Sequence, residues 1–273
     1  MSVHYFADMP PPVDASRPLA GLRVAITREA SRARVLEEAL RARGADVRLV
    51  PLVRTEALAQ ASLDAALRRA VPFDWVLFTS RTAVRFALEA RARLGGTARA
   101  LDGAAVAAVG PDTAAALRDG GLAPALVPTR HSGDGLLEAL TARVTPGARV
   151  LHVVAAGAAD LLPRGLARLG ADVTVVHPYR TVEDETGART MRSLLAEREV
   201  DVAVVTAPSA VRVLARVAGE TRARSAVRVA SIGATTTRAA REAGLTVVAE
   251  AQEATPGSLV GALAEWANER SRS

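Results

Sequence analysis

Short apolar runs alternate with longer amphipathic stretches along most of the chain. Residues 21–55 show the pattern: an apolar run, a stretch with Leu36 and Leu40 at helical spacing, and a second apolar run. The runs are apolar on both faces and are separated by helical stretches, which is typical of strands in a parallel sheet covered on both sides by helices. The pattern predicts an α/β fold.

The first of these units has a copy further along the chain. Residues 147–181 align with residues 21–55 without a gap and are identical at 14 of 35 positions. Gly44 and Gly170 take the same place in the two copies, and each fits the position just after the end of a helix. Each copy is therefore predicted to be a strand, a helix and a second strand.

The segments that follow the copies also repeat. Residues 73–84 match residues 200–211, and residues 106–122 match residues 229–245. Each half is then predicted to be strand–helix–strand followed by three further strand–helix units. Five such strands with their helices make a flavodoxin-like, doubly wound parallel-sheet domain, so the sequence predicts two of these domains.

Two arrangements of the halves are consistent with the repeat. Tandem domains would be joined by a linker at "VTPGAR", whereas "VPLVRTEALAQAS" and "HPYRTVEDETGAR" both leave a strand through Pro and Arg-Thr, as crossings between interleaved domains would. The residues alone leave both arrangements open. The interleaved one has a disordered tail (1–18), a discontinuous domain (19–53 with 183–273), a continuous domain (56–178) and two hinge strands (51–56 and 177–183).

Composition narrows the class of protein. Hydrophobic residues make up 49% of the chain and aromatic residues 3%, so the predicted core is built from Ala, Val and Leu. The absence of cysteine excludes disulfides, thiolate metal sites and a cysteine nucleophile. All 35 basic residues are arginine and the net charge is +6, which suits a small polyanion or reflects a compositional bias. Because the arginines are spread over the predicted helices, we expect no nucleic-acid partner.

The N-terminal stretch does not resemble a targeting sequence. It lacks the basic region followed by an apolar region that a signal peptide has, and no run in the chain approaches the ~18 apolar residues of a membrane span. We expect a cytoplasmic protein with no membrane partner.

Small and hydroxylic residues follow most of the predicted strands. In a doubly wound domain the ligand binds beyond the carboxyl ends of the strands. Any one of these residues can simply cap the next helix, but together they offer several anion-binding helix N-termini if the two domains face each other across a cleft. The set is Thr79, Ser80, Gly110, Thr113, Thr129, Ser132, Thr206, Ser209, Gly233, Thr235, Thr236 and Thr255.

Several kinds of site have no sequence support. There is no G-x-G-x-x-G loop, no P-loop lysine and no G-x-S-x-G elbow, which argues against a nucleotide-binding regulator and a serine hydrolase. The histidines His4, His131, His152 and His177 lack metal-ligand spacing, so we expect no metal. His152 lies inside an apolar strand and is predicted to be a hydrogen-bonded core residue. His131 and His177 lie near strand ends and are weaker candidates for the cleft.

Tyrosine is scarce, and one of the two tyrosines lies at the predicted seam between domains. Tyr5 belongs to the N-terminal tail, whereas Tyr179 lies in "VVHPYRT". The residue at the same place in the first copy is Val53, so the tyrosine is a difference between the copies. An asymmetric substrate needs such a difference in its site.

These elements together resemble a known family. The matching segments are "FTSRTAV", "AAVGPDTAAAL", "VVHPYRT", "TAPSAV" and "ASIGATTTRAAREAGL" followed by "EATPGSLVGAL". None is a strong motif alone, but in this order and spacing they resemble the uroporphyrinogen-III synthase family from about Gly21 to the C-terminus.

The resemblance implies both a fold and a reaction. It implies the interleaved topology with a two-stranded hinge, and a cofactor-independent reaction on hydroxymethylbilane, a linear tetrapyrrole with eight carboxylates. The family closes this chain into uroporphyrinogen III and inverts ring D. The expected path loses the terminal hydroxyl as water, forms an azafulvene and passes through a spiro intermediate. We expect a monomeric enzyme.

The resemblance also assigns site residues. Tyr179 matches the family's hinge tyrosine and is the candidate catalytic residue, since its hydroxyl can assist the departing hydroxyl. The family often has Asn or Arg where this chain has Thr82, so Arg81 would have to substitute from the neighbouring position. This departure keeps open a catalytically degenerate protein that binds a tetrapyrrole or another polyanion. The candidate substrate-binding residues are Thr79, Ser80, Arg81, Gly110, Thr113, Ser132, Ser209, Gly233, Thr235 and Thr236.

Overall fold

The computed structural model describes residues 16–69, 71–223 and 227–272. In chain order the strands are β1 (Arg23–Ile26), β2 (Asp46–Leu49), β3 (Val53–Ala57), β4 (Trp75–Phe78), β5 (Ala105–Ala108), β6 (Arg149–Val153), β7 (Asp172–Val176), β8 (Tyr179–Glu183), β9 (Val202–Val205), β10 (Arg228–Ser231) and β11 (Thr246–Glu250). The α-helices are α1 (Ala30–Ala42), α2 (Ala61–Leu67), α3 (Arg81–Leu94), α4 (Pro111–Asp119), α5 (Gly133–Thr141), α6 (Leu161–Arg168), α7 (Glu185–Ala196), α8 (Pro208–Glu220), α9 (Ala234–Glu242) and α10 (Pro256–Arg272). Most of the tail predicted over 1–18 lies outside the described residues.

The described chain divides into two compact units. Unit 1 contains the residues up to Arg54 and those from Val182 onward, and unit 2 contains Thr55–Thr181. The chain passes between the units through β3 and β8, which pair with each other as a two-stranded sheet. The interleaved arrangement is therefore the one that the chain adopts, and the tandem alternative is wrong.

Unit 1 is a five-stranded parallel sheet covered on both faces. The strand order is β11-β10-β9-β1-β2, which is the flavodoxin-like order 2-1-3-4-5 when the strands are numbered within the unit. One face packs on α7, α8 and α9, and the other packs on α1 and α10. Leu36 and Leu40 of α1 are fully buried, as their helical spacing predicts.

Unit 2 has the same order of strands in its sheet, although the strands follow one another differently along the chain. Its sheet has the order β5-β4-β6-β7. If β6, β7, β4 and β5 are numbered 1 to 4 and the sheet is read from the β7 edge, this order is 2-1-3-4. The helices α2, α3 and α4 cover one face, and α5 and α6 cover the other. The predicted class, two doubly wound α/β domains that are interleaved and joined by a two-stranded hinge, is confirmed.

The fifth strand predicted for unit 2 does not form. Among the described residues, a single isolated β-bridge, between Ala107 and Leu126, continues this sheet beyond β5. Pro124 and Pro128 flank Leu126, and because proline has no backbone N–H, neither can extend the ladder. The prediction of five full strands is therefore wrong for this unit and right for unit 1.

Both repeat copies end their helix at the predicted glycine. Gly44 has φ 95° and Gly170 has φ 84°, a left-handed conformation that a residue with a side chain adopts only with strain. These two positions let the chain turn directly from the helix into β2 and β7. Within the described residues no helix is both long and apolar enough to cross a membrane.

His152 is a core residue, but it is not hydrogen-bonded. It lies on β6 opposite Leu77 and Val175 and is 2% exposed. Neither ring nitrogen has a hydrogen-bond partner in the part of the chain that the structure describes, so the predicted hydrogen bond is wrong. Burial first, and the nearby imidazole of His177 second, lower the pKa of His152 from 6.5 to about 4.

This burial predicts a pH-dependent stability. Between pH 6.5 and about 4 the unfolded chain binds a proton at His152 that the folded chain excludes. The contribution of the neutral His152 to the free energy of unfolding is therefore complete above pH 6.5. It is lost as the pH falls toward the pKa of the folded protein, and the total loss is roughly 3 kcal/mol. Urea unfolding at pH values of about 7.5 and 4.5 measures this loss. We expect His152→Leu to remove most of it.

The control is His131→Gln, which removes an exposed imidazole from the same unit. It should leave the difference between the two pH values unchanged. An undiminished loss of stability in His152→Leu would show that other groups cause the acid sensitivity.

Candidate active site

The two sheets define where a ligand-binding crevice lies in each unit. In unit 2, β4 connects through α3 to β5 on one side, whereas β6 connects through α6 to β7 on the other. The carboxyl ends of β4 and β6 therefore flank the switch point, which is where doubly wound folds bind ligands. In unit 1 the corresponding switch point lies between the carboxyl ends of β1 and β9.

Tyr179 lies at the switch point of unit 2. Its carbonyl accepts from the Ala156 N–H at 2.8 Å, which ties it to the segment just after β6. The preceding carbonyl, of Pro178, accepts from Leu58 N–H at 2.9 Å and from Gln60 Nε2 at 2.8 Å. The backbone of the tyrosine is thus held on both sides.

The tyrosine side chain is fixed as firmly as its backbone. Its ring stacks on Phe86 with centroids 5.2 Å apart and planes 5° apart, and its hydroxyl lies 2.7 Å from Ser80 Oγ. The residue is 5% exposed, so the ring contributes to the core while its hydroxyl bonds to the N-cap residue of α3. The packing role of Tyr179 and its predicted chemical role are compatible in this geometry.

Ser80 brings the end of β4 to the tyrosine. It is extended and its Oγ accepts from Ala83 N–H at 3.0 Å, which makes it the N-cap of α3. Thr79, directly before it, is half-buried. The structure thus brings Ser80 and Tyr179 together, although 98 residues separate them in the chain.

The two residues after Ser80 differ in environment. Arg81 is exposed, and its guanidinium lies 3.9 Å from the Asp112 carboxylate at the start of α4. Thr82 is 6% exposed and faces the interior. In the first turn of α3 the chain therefore exposes the Arg81 side chain and buries that of Thr82.

The remaining predicted residues of unit 2 lie at the starts of α4 and α5. Gly110 is the N-cap of α4 and packs against the His131 side chain, because a Cβ built on this glycine would lie 3.2 Å from the His131 Cβ. Ser132 caps α5 by accepting from Gly135 N–H at 3.1 Å. Thr113 is 4% exposed within the first turn of α4, so its side chain is part of the core.

Unit 1 places its predicted residues on α8 and α9. Ser209 is half-buried in the first turn of α8, and Gly233 is the N-cap of α9. Thr235 is exposed, whereas Thr236 is 4% exposed. Thr235 therefore presents a hydroxyl to solvent, and Thr236 packs inward.

One residue at the switch point of unit 1 escaped the sequence reasoning. Thr27 directly follows β1 and donates its hydroxyl to the Val204 carbonyl at 2.9 Å, so Arg28 is the second residue beyond the strand. Arg28 is half-buried. Its counterpart in the second copy is Val154, and this contrast of charge with an apolar residue is the signal that could have found it.

Within the described residues no cluster of three or more His, Asp or Glu side chains is placed to hold a metal ion. What the edges of the two sheets offer are hydroxyls, arginines and helix N-termini. These groups bind carboxylates and can donate protons or hydrogen bonds.

Comparison of the sequence with known proteins identifies its family. The family described as "Uroporphyrinogen-III synthase HemD" matches residues 34–261. A protein of Methanothermobacter thermautotrophicus named "Putative uroporphyrinogen-III synthase" is 32% identical over 232 residues, which cover 82% of this chain and 91% of that protein.

Solved structures share the fold. A crystal structure of a mutant uroporphyrinogen III synthase from Thermus thermophilus aligns with a TM-score of 0.70 at 24% identity, over 91% of this chain and 99% of that one. The Helicobacter pylori enzyme aligns with a TM-score of 0.56 at 17% identity, over 88% of this chain and 97% of that one. The chain belongs to the uroporphyrinogen-III synthase family.

Proposed function

We propose that this chain carries out the reaction of its family, the cofactor-independent cyclisation of hydroxymethylbilane to uroporphyrinogen III, with Tyr179 as the proton donor. The family match over residues 34–261 is the observation that carries the reaction. The position of the phenol at the switch point of unit 2 supports its role.

The chemistry requires help for a poor leaving group. As the terminal C–O bond breaks, the oxygen takes the bonding electrons and a proton from the Tyr179 hydroxyl, and leaves as water. The pyrrole nitrogen stabilises the cation that remains on the bilane. Ring closure through the spiro intermediate then releases a proton, which restores the phenol, so the overall reaction consumes no acid.

Binding must also constrain a long and flexible substrate. Holding its reacting ends together supplies a large share of the acceleration, because the entropic cost is met during binding. The substrate carboxylates match the hydroxyls, arginines and helix N-termini described at the carboxyl edges of the sheets. The predicted substrate contacts of Thr79, Ser80, Arg81, Gly110, Thr113, Ser132, Ser209, Gly233, Thr235 and Thr236 remain part of this proposal.

Arg28 joins these residues as a carboxylate-binding side chain. It lies two residues beyond the end of β1, at the switch point of unit 1, where doubly wound domains bind ligands. A guanidinium there matches an anionic substrate better than the hydroxyls alone.

We further propose that the enzyme works as a cytoplasmic monomer. The exposed large apolar residues among those described, Val35, Val71 and Leu161, are scattered along the chain and form no continuous sequence patch. Light scattering on the purified protein tests the oligomeric state, and a mass twice that of the chain would contradict the proposal.

The first prediction concerns the product and the tyrosine. Hydroxymethylbilane generated in the assay and trapped by oxidation should give isomer III with the wild-type protein. Tyr179→Phe keeps the ring stacked on Phe86 but loses the hydroxyl, so we expect kcat to fall about ten- to a hundredfold with KM little changed.

Two other outcomes have clear meanings. Isomer I alone, formed at the uncatalysed rate, would favour a degenerate protein that only binds a tetrapyrrole. Unchanged kcat in a folded Tyr179→Phe variant would show that the tyrosine packs in the core and that its hydroxyl has no catalytic role.

The second prediction concerns Arg28. Arg28→Gln should raise KM about tenfold and change kcat less, because it removes a charge-assisted hydrogen bond to a bound carboxylate. Arg34→Gln, which removes the same charge from an exposed side chain of α1, is the matched control. Equal effects of the two variants would show that only net charge matters.

A further inference from the structure

A single helix fixes both the ring and the hydroxyl of Tyr179. Phe86, in the second turn of α3, stacks on the ring with a centroid distance of 5.2 Å. Ser80, the N-cap of the same helix, lies 2.7 Å from the hydroxyl. The orientation of the phenol is therefore set by α3 rather than by the strand that carries it.

The hydroxyl of Ser80 is partly committed. A serine hydroxyl has one proton to donate and two lone pairs, and one lone pair of Ser80 accepts from Ala83 N–H at 3.0 Å. The bond to Tyr179 can run in either direction. If the tyrosine donates, its only proton is spent on the serine. If the serine donates, the phenol proton is left for another acceptor.

We propose that Ser80 is the positioning residue of the reaction and donates its hydroxyl proton to Tyr179 Oη. The Ala83 N–H holds Ser80 Oγ in place, so the serine proton points at the phenol oxygen and the phenol proton is directed to the substrate hydroxyl. This inference rests on the proposed function, because it assigns how the proton donor of that reaction is oriented.

The same arrangement assists the step itself. When the phenol proton moves to the departing oxygen, negative charge develops on Tyr179 Oη. The hydrogen bond from Ser80 then becomes one to a charged acceptor, which is roughly twice as strong as a neutral one. The positive end of the α3 dipole lies at Ser80 and favours the same charge. Ring closure returns the proton to the phenolate, so proton and electron counts balance.

A plain capping role is the competing explanation, and the choice of substitution separates the two. Ser80→Gly removes the hydroxyl but leaves a residue that is nearly as good an N-cap, whereas Ser80→Ala removes both hydroxyl and cap. Ser80→Thr keeps both. Asp184→Ala removes an equivalent cap from α7, where the carboxylate accepts from Gly187 N–H at 3.0 Å.

The kinetic pattern is then specific. We expect Ser80→Gly and Ser80→Ala to lower kcat equally, by about tenfold, although only Ser80→Ala also lowers the melting temperature clearly. A rise in KM would report the separate contact of Ser80 with the substrate. Ser80→Thr should keep most of the wild-type kcat. Asp184→Ala should lower the melting temperature and leave kcat unchanged.

The double variant distinguishes positioning from independent substrate contact. If Ser80 acts only through the phenol, Ser80→Gly adds no further loss of kcat to Tyr179→Phe. Losses that multiply would overturn the proposal, as would a Ser80→Gly variant with wild-type kcat. In either case isomer III from the wild-type protein would leave the proposed function intact. Isomer I alone would refute both the proposed function and the proposed role of Ser80.

Discussion

Each unit depends on one parallel pairing, in which the first strand of one repeat copy pairs with a strand from the other half of the chain. In unit 1, β1 of the first copy pairs with β9 from the second half, and Arg23 binds Asp201 through Nε at 3.0 Å and Nη2 at 2.8 Å. Asp201 also accepts from the Arg23 N–H at 2.9 Å. The guanidinium hydrogen bond holds the pKa of the Asp201 carboxyl below its usual range, so the pair is ionised at neutral pH.

Unit 2 repeats this interaction with the copies exchanged. β6 of the second copy pairs with β4 from the first half, and Asp74 accepts from the Arg149 N–H at 2.7 Å. Each unit thus joins the strand–helix–strand of one copy to the strands that follow the other. The two chain crossings through β3 and β8 follow from this exchange, and the same pairings place a switch point at the centre of each sheet.

The copies share their framework and differ at the residues proposed for chemistry. Tyr179 occupies the place of Val53, and Arg28 occupies the place that Val154 has in the second copy. The Arg–Asp pairs that set strand register are common to both copies. The duplicated fold therefore carries a phenol at the edge of one sheet and a guanidinium at the edge of the other.

Local patterns predicted most of the fold. Periodicity and the repeat indicated the strands, the helices and the glycines that end α1 and α6, because these features depend on a few neighbouring residues. The choice between tandem and interleaved domains depends on which copies pair, and neighbouring residues do not decide it. The matched Arg and Asp of the repeat carry that information, but only as pairs 178 and 75 residues apart.

The site was harder to predict for the same reason. The sequence pointed to Ser80 and Tyr179 separately, but the hydrogen bond between them arises from a fold that brings β4 beside β6. For other residues the sequence did not show whether the side chain is buried. Thr113, Thr236 and Thr82 lie within first helical turns, where spacing alone does not tell an inward side chain from an outward one. Pro124 and Pro128 are the local signal of the broken strand in unit 2, and the prediction from the repeat did not use them.

In the proposed reaction the phenol of Tyr179 protonates the departing group. The most direct measurement compares wild-type protein with Tyr179→Phe on two bilanes that differ only in their terminal group, hydroxymethyl or aminomethyl. A protonated amine leaves as ammonia without further acid, whereas a hydroxyl needs a proton donor. We expect the loss of kcat seen with the hydroxymethyl substrate nearly to disappear with the aminomethyl one. An equal loss with both substrates would contradict it.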